Sequence, residues 1–416
     1  MNRQFWYDTV FGTLFIFFLI FLFANLTFFK IFDVFDPIGE ALSDLELTDY
    51  AFSNIREDPM ADTNIVVVNL PFSRRDIAMV LSIINQYEPA VVGIDAFFPE
   101  PKEEDPIGDV MLQNALKEMK NLVMVSRLEN FNEDTGEYDT VFNSHPMFLE
   151  NAHTGFANLA TDAEFQDDLK SVREFPTHRS IHGIDHVAFG IKVAELFNPE
   201  TSKRYLERDN EYEKINFRGN VLDPFNKAEF KNQFFALDVE DVLNENFTPD
   251  IIKDKIVIFG FMGEFFGDPS WDDKFFTPLN PKIGGRANPD MFGVVVHANI
   301  ASMIIYDIPI GSMSNIQTLI FSILVCYINV MVFSWIYRRL PRWYDGLTKL
   351  IQLTEVMIFM LVAVYVFAAF SYKLELTLPL VCVLLASDSL EIYNGVVKNL
   401  FSKDRQELFK LQYGRD

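Results

Sequence analysis

Four long apolar runs limit what this chain can fold into, because a helix of roughly 20 apolar residues spans the hydrocarbon core of a bilayer. They predict transmembrane helices over residues 10–29, 316–336, 350–370 and 377–397. Lys30 and Asp33 follow the first run in place of the small residues of a signal-peptide cleavage site, which favours an uncleaved anchor. The fourth run gives the weakest prediction, because Asp388 and Glu391 lie in its second half.

The distribution of Lys and Arg predicts how these helices cross the membrane, since both residues concentrate in short cytoplasmic loops. Residues 337–349 and residues 398–416 are basic, and Arg3 precedes the first run. We therefore expect four crossings with both chain ends in the cytoplasm. A bacterial inner membrane, with the domain between the first two runs in the periplasm, fits this arrangement best. The predicted organisation is an N-terminal anchor at 1–30, an extracytoplasmic domain at 31–312, three transmembrane helices at 313–397 and a cytoplasmic tail at 398–416.

The large predicted domain is strongly acidic. The chain has a formal net charge of −24; residues 1–30 carry +1 and residues 313–416 carry +2, which leaves −27 for residues 31–312. A field of this sign repels nucleic acid and anionic lipid and favours cationic partners or divalent ions. It also keeps a domain soluble, so the charge alone identifies no partner. Both cysteines, Cys326 and Cys382, lie in apolar runs, so we predict no disulfide in this domain.

Strand and helix patterns alternate through residues 31–312. The runs NIVVVNL at 64–70, AVVGID at 90–95 and KIVIFGF at 255–261 are apolar enough for strands covered on both faces. Between the first two, residues 74–87 have helical spacing after a predicted cap at Ser73. The alternation predicts an α/β fold with a mainly parallel sheet flanked by helices. Further helices are predicted at 109–119, 186–197 and 292–306, and further strands at 121–126, 155–159, 172–178 and 215–219.

Several of these segments, in this order, resemble the CHASE2 extracellular sensory domain of bacterial membrane receptors. The motifs are Phe32-Asp33, IVVV with Arg74 after it, VGIDAFF at 92–98, GFAN at 155–158, VREFP at 172–176, KIVIFG at 255–260, DKFFTP at 273–278 and GVVVHAN at 293–299. The resemblance covers about residues 28–395. It implies a sensory domain that passes a signal to a cytoplasmic cyclase or kinase. Because about 20 residues follow the fourth run, we expect the output to belong to a separate protein.

Asp95 is the leading candidate for ligand binding, because it closes a predicted parallel strand and ligands bind beyond the carboxyl ends of such strands. The glycine-rich loop 260–267 is predicted to share its pocket. The alternative is a buried structural Asp that caps a helix or pairs with Arg74 or Arg173. His297 is either a core residue or a pH-responsive hinge on a helix that leads almost directly into the second apolar run. The predicted ligand-binding set is Asp95, Arg74, Arg173, Asp273, His297 and Asn299.

Two clusters have metal-binding side chains but unsuitable spacing. The acids Glu264, Asp268, Asp272 and Asp273 do not match the twelve-residue calcium loop. The histidines His178, His182 and His186 recur every four residues, but Pro176 and Gly183 break the helix that would align them. We therefore predict no metal and no cofactor. No catalytic triad, nucleotide loop or zinc signature is present in the sequence, so we expect no enzyme.

Acidic side chains inside the apolar runs are the last predicted site. Glu355, Asp388 and Glu391 are costly in a bilayer and are expected to face a partner or a polar cavity. A short fourth span whose acids reach the cytoplasmic interface is the alternative. Glu355 is predicted about one turn into the third span, and all three acids are assigned to transmembrane coupling.

The leading functional hypothesis is a sensor or adaptor that binds a small molecule or an envelope protein and relays this through its helices to a separate membrane or cytoplasmic protein. The main alternative is a structural subunit of an envelope-spanning complex that acts as a periplasmic protein-binding platform. An energiser coupled to ion flow through Asp388 and Glu355 is a third option. The sequence leaves homo-oligomerisation open.

Overall fold

The computed structural model of the protein describes residues 3–25, 47–57, 59–132, 137–161, 171–221, 232–268, 270–280 and 288–398. The Phe32-Asp33 motif and the tail beyond residue 398 lie outside this part of the chain. The described residues form two compact units. One belongs to Met1–Thr48 and Gly311–Asp416, and the other to Asp49–Ile310.

The helices and strands are numbered along the chain. The helices are α1 Arg3–Asn25, α2 Leu47–Tyr50, α3 Arg74–Gln86, α4 Pro106–Lys117, α5 Phe189–Phe197, α6 Pro199–Leu206, α7 Val239–Leu243, α8 Gly293–Ile305, α9 Asn315–Arg339, α10 Tyr344–Phe370 and α11 Thr377–Ile392. The strands are β1 Ile65–Asn69, β2 Val91–Asp95, β3 Leu122–Asn132, β4 Glu137–Phe142, β5 Ala152–Phe156, β6 Ala160–Thr161, β7 Val172–Pro176, β8 His178–Ile181, β9 Ile184–Val187, β10 Tyr212–Lys214, β11 Asn220–Val221, β12 Asn232–Leu237, β13 Ile256–Gly260, β14 Lys274–Phe275, β15 Met291–Phe292, β16 Gly311–Ser312 and β17 Tyr372–Lys373.

A central sheet organises the unit Asp49–Ile310. Among the described residues it has eight strands, in the order β11-β12-β1-β13-β2-β3, with β4 and β5 both paired to β3. Every pair is parallel except β3 with β4. All five residues of β1 and of β13 are buried, as expected for strands covered on both faces. The predicted α/β fold with a mainly parallel sheet is confirmed.

Helices cover both faces of this sheet. On one face α3 and α4 pack against it through apolar residues at helical spacing, such as Ile77, Leu81 and Leu112. Helices α5 and α8 contact each other, and they also contact β2, β3, β1 and β13. Helix α8 is buried along its whole length, which explains why its sequence is apolar on all sides.

Local structure departs from prediction at several places in this unit. Ser73 lies at the N-cap of α3, but its side chain makes no capping hydrogen bond. Residues 215–219 contribute no strand, since the N–H groups of Arg218 and Gly219 donate to a side chain of α8. Helix α5 begins three residues later than predicted, because β8 and β9 pair as an antiparallel hairpin before it.

Helix α8 is followed closely by the next apolar helix, as predicted. It ends at Ile305 and α9 begins at Asn315, so nine residues separate them, as many as separate the predicted segments 292–306 and 316–336. Asp307 has a φ of 53°, in the left-handed region that ends a right-handed helix. Pro309 then lacks the N–H that a continuing helix would need.

The other unit contains apolar helices. Four helices in the described part of the chain are long and apolar enough to cross a membrane, namely Phe5–Leu22, Asn315–Arg339, Pro341–Phe370 and Thr377–Val397. Cys326 of α9 and Cys382 of α11 are both buried in its core. Asp8 of α1 forms ion pairs with Arg338 (2.5 Å) and Lys398 (2.6 Å). These helices fit the predicted association with a membrane.

Candidate functional site

A cavity of about 310 Å³ lies at the carboxyl edge of the parallel sheet. Its walls follow the ends of β2 and β5 and include β14, the first turns of α8 and a residue of β3. We call it the strand-end cavity. It is lined by Asp95, Phe97, Arg127, Ala157, Asn158, Leu159, Asp273, Phe275, Gly293 and His297. Its place is the one that ligands prefer in open parallel sheets.

Asp95 is the last residue of β2, in register with Gly260 of β13. Within the described part of the chain, no side chain or N–H group donates a hydrogen bond to its carboxylate, and no cation pairs with it. Desolvation by the surrounding protein raises the pKa of Asp95 from 3.8 to about 7. The cavity therefore holds a carboxylate that no described cation neutralises.

Asp273 reaches the same cavity because β14 pairs with β15 directly before α8. This pairing places Lys274 opposite Phe292, and the N–H of Gly293 donates to the carbonyl oxygen of Asp273 at 3.0 Å. A Cβ atom on Gly293 would lie 3.0 Å from Oδ2 of Asp273, so glycine allows the carboxylate to approach the start of the helix. Asp273 itself has a φ of 55°, a left-handed conformation that Asp tolerates better than most residues.

His297 lies one turn after Gly293 on α8 and closes the inner wall of the cavity. Its ring meets Phe189 of α5 edge to face, with centroids 5.3 Å apart. Only 3% of its surface is exposed, and its Nδ1 has no hydrogen-bond partner among the described residues. Burial lowers the pKa of His297 from 6.5 to about 4, so the imidazole is neutral near pH 7 and has one nitrogen that can accept a hydrogen bond.

Arg127 is the cationic side chain among the described residues that line the cavity, and its charge is already engaged. Its guanidinium forms an ion pair with Glu129. The same group lies over the rings of Phe97 and Phe142, at 5.6 Å and 5.2 Å from their centroids. Asn158 is also occupied, since its amide bonds to the N–H and the carbonyl of Leu128.

The structure brings Asp95, Asp273 and His297 together and places the other predicted ligand-binding residues elsewhere. Arg74 is buried against Asp109, and it donates to the carbonyl of Glu100 at 2.6 Å. Arg173 pairs with Asp49 at 2.9 Å. Neither arginine pairs with Asp95. The alternative that Asp95 is a structural residue paired with Arg74 or Arg173 is therefore wrong.

Asn299 also lies away from the cavity and serves the backbone. Its Oδ1 accepts from Arg218 N at 2.8 Å and Gly219 N at 3.3 Å. Its Nδ2 donates to the carbonyls of Gly219 at 2.9 Å and Val295 at 2.8 Å. All hydrogen-bonding groups of this amide are therefore used, and they hold the irregular segment at Arg218 and Gly219 against α8.

The loop 260–267 does not line the strand-end cavity, contrary to prediction. The N–H of Met262 donates to Asn69 Oδ1, and the N–H of Phe266 donates to Asp238 Oδ2. The loop is thereby turned toward β1 and α7. Hydrogen bonds from the backbone of Glu264 and Ser270 lower the pKa of Asp268, so this acid organises its own loop.

The clustered acids and histidines form no metal centre among the described residues, where no group of three or more metal-ligating side chains converges. His178 and His186 lie on the strands of the β8–β9 hairpin, and His182 lies in its turn. The four-residue spacing that would align them on a helix therefore has no structural meaning here.

The acids of the apolar helices have different surroundings. Asp388 of α11 accepts from Lys349 of α10 at 2.8 Å and 2.9 Å, and both side chains are more than half exposed. Glu391 is exposed. Glu355 lies near the middle of the apolar helix Pro341–Phe370, which begins earlier than the predicted residue 350. Its Oε2 is buried without a hydrogen-bond partner in the described residues.

Sequence reasoning missed several residues of the cavity wall. Phe97 lies two positions after Asp95, the acid at the end of β2. Residues two apart in extended chain point to the same side, which is a usable signal for Phe97. Phe275 gave no such signal, because Asp273 has a left-handed backbone conformation. Arg127 follows the parallel part of β3 and was detectable only by applying the strand-end rule to every strand.

Comparison with known proteins gives one family. The profile described as the CHASE2 domain matches residues 45–336, which include all of the strand-end cavity. No curated protein and no solved structure shows significant similarity to the chain.

Proposed function

Because the chain belongs to the CHASE2 domain family, a family of extracytoplasmic sensory domains, we propose that it is a membrane-anchored sensor whose α/β unit binds a small molecule in the strand-end cavity. The signal is relayed through the apolar helices to a separate protein. The large unit lies in the periplasm and both chain ends lie in the cytoplasm, as the positions of Lys and Arg favour.

The strand-end cavity carries this proposal. A volume of about 310 Å³ lies at the lower end of the range of roughly 300–1,000 Å³ typical of small-molecule sites. It combines aromatic walls with a few converging polar groups, among them the carboxylate of Asp95, which no described cation neutralises, and the buried imidazole of His297. Groups with pKa values perturbed by desolvation are concentrated at functional sites.

The proposed relay to a partner rests on the polar side chains of the apolar helices. Asp388 and Glu391 are exposed, and so are Arg339 and Arg342 near the loop between α9 and α10. Charged groups on membrane helices are usually kept for contacts with partners or ions. We propose this set as the docking surface for the output protein.

The structural platform remains the second candidate, because one observation favours it. Phe72, Phe265 and Trp271 are 69%, 51% and 55% exposed on loops that follow β1 and β13. Exposed aromatic side chains are enriched at protein interfaces. A platform would bind its partner through these residues whatever the cavity contains.

Purification of the full chain in mild detergent, with quantification of the chains that accompany it, separates the two candidates. Ala157→Trp fills the cavity, Asp95→Asn removes its carboxylate charge, and Asp185→Asn is the matched control on the exposed side of β9. A sensor loses or gains its partner with the two cavity variants and not with the control. A partner that stays in equal amount in all variants supports the platform. If no chain accompanies the wild type, relay to a separate protein is refuted.

A further inference from the structure

We propose that the strand-end cavity selects a small organic cation, an amine whose ammonium group contacts Asp95 and whose apolar part packs on Phe97 and Phe275. This inference rests on the proposed function and specifies the chemical class of its ligand. It assigns Asp95 as the anchor, His297 as a second acceptor and the aromatic rings as the walls.

The charge of the cavity favours a cation. Asp95 has no cationic partner in the described part of the chain, while Arg127 is engaged by Glu129 and by two aromatic rings. An anionic ligand would have to approach Asp95 without a free guanidinium from the described cavity wall to compensate. An ammonium group supplies the missing counter-charge, which also explains why desolvation of Asp95 is tolerated.

The hydrogen-bonding groups match an ammonium group as well. An ammonium has three donors and no acceptor. The ionised carboxylate of Asp95 only accepts, and the neutral imidazole of His297, which also lines the cavity, has one nitrogen that can accept. The side-chain amide of Asn158 already accepts from the N–H of Leu128 and donates to its carbonyl, so it is held by the protein backbone.

Size and wall chemistry distinguish an amine from a bare metal ion. Ca²⁺ takes six to eight oxygen ligands at short range, whereas the described lining of this cavity includes the aromatic rings of Phe97 and Phe275. Aromatic faces attract organic cations through the ring quadrupole. The volume of about 310 Å³ leaves room for an apolar group beside the ammonium.

Calorimetric titration of the full chain in lipid nanodiscs at pH 8 tests this inference. The probes are 2-phenylethylamine, the neutral 2-phenylethanol, the anionic 3-phenylpropanoate and Ca²⁺. We expect the amine to bind at least tenfold more tightly than its neutral and anionic counterparts. Asp95→Asn should weaken amine binding by about 10- to 100-fold, as for a lost charged hydrogen bond. Phe97→Leu should weaken it about twofold to fivefold.

Two control variants accompany these measurements. Asp185→Asn removes an exposed carboxylate of the same unit, and Phe72→Leu removes an exposed ring outside the cavity, so both should bind the amine like the wild type. Binding of 3-phenylpropanoate or Ca²⁺ in place of the amine overturns the chemical class but keeps the cavity as a ligand site. Amine binding that survives Asp95→Asn overturns the assigned anchor. If no probe binds, the inference is refuted, while the purification experiment still decides the proposed function independently.

Discussion

Replacing Asp95 by Asn should stabilise the ligand-free protein at alkaline pH and leave it nearly unchanged in acid. The folded protein raises the pKa of Asp95 to about 7, above the 3.8 of an exposed Asp. The folded state therefore binds the proton more tightly than the unfolded state, so the contribution of Asp95 to stability falls as pH rises from about 4 to 7. Asn does not titrate and avoids this loss.

The size of the effect follows from the pKa difference. A shift of about three units corresponds to an upper limit of about 4 kcal/mol. Asp95 is only half-buried and receives some solvent from the cavity, which reduces this to about 1–3 kcal/mol at pH 8. For a unit of this size each kcal/mol moves the melting temperature by about 2–4 °C. We therefore expect Asp95→Asn to melt roughly 5 °C higher than the wild type at pH 8.

Thermal unfolding of both proteins in nanodiscs at pH 5, 6, 7 and 8, followed by circular dichroism, measures this difference. His297 has a pKa of about 4 and stays neutral across most of this range. Asp290, whose pKa desolvation raises to about 7, is present in both proteins and cancels in the comparison. Asp185→Asn should show no pH-dependent gain. A lower melting temperature for Asp95→Asn at pH 8, or an equal shift at every pH, would refute the reasoning.

Three further substitutions test other parts of the structure. Arg74→Met should cost on the order of 3–5 kcal/mol in the free energy of unfolding measured by denaturant titration, because it leaves the buried Asp109 without its cation. Arg75→Met breaks an exposed ion pair and should cost far less in the same titration. Asn299→Ala should cost about 2–3 kcal/mol, since it removes the side-chain partner of the N–H groups of Arg218 and Gly219 and of the carbonyl of Gly219, and an unchanged melting temperature would contradict this role. Lys349→Met should lower the thermal stability of the chain in detergent, and adding Asp388→Asn should restore part of it.

The central strands of the sheet were predictable because each corresponds to a continuous run of apolar residues. Residues 64–70 and 255–261 have this pattern, and they become β1 and β13 within one or two residues. The position of Asp95 was predictable for a related reason, since a polar residue at the end of such a run falls at the carboxyl edge of the sheet.

Side-chain pairing was not predictable in the same way. Arg74 pairs with Asp109, 35 positions along the chain, and the choice between that acid and Asp95 depends on where α3 and α4 pack. The path of loop 260–267 depends on acceptors at Asn69 and Asp238, which lie in other elements. The residues near each side chain in the sequence do not indicate which distant residue it will contact.

The end of α8 was predictable within one residue. The apolar pattern over 292–306 stops nine residues before the next apolar run at 316, and α8 ends at Ile305. The left-handed backbone conformation of Asp307 is not indicated by the pattern of apolar residues. Pro309 was a further signal for the end of the helix.

The place of β13 in the sheet has a consequence for how the protein is made. β13 lies between β1 and β2, yet it is encoded about 190 positions after the first and 160 after the second. Until residue 260 has been synthesised, β1 and β2 lack the strand that lies between them. The backbone edges that pair with β13 then remain without their hydrogen-bond partners. Chains whose strands pair over such long sequence separations fold slowly, and their incompletely folded forms are prone to aggregation. The supply of chaperones that shield nascent segments should therefore limit the yield of this protein more than the intrinsic stability of its finished form.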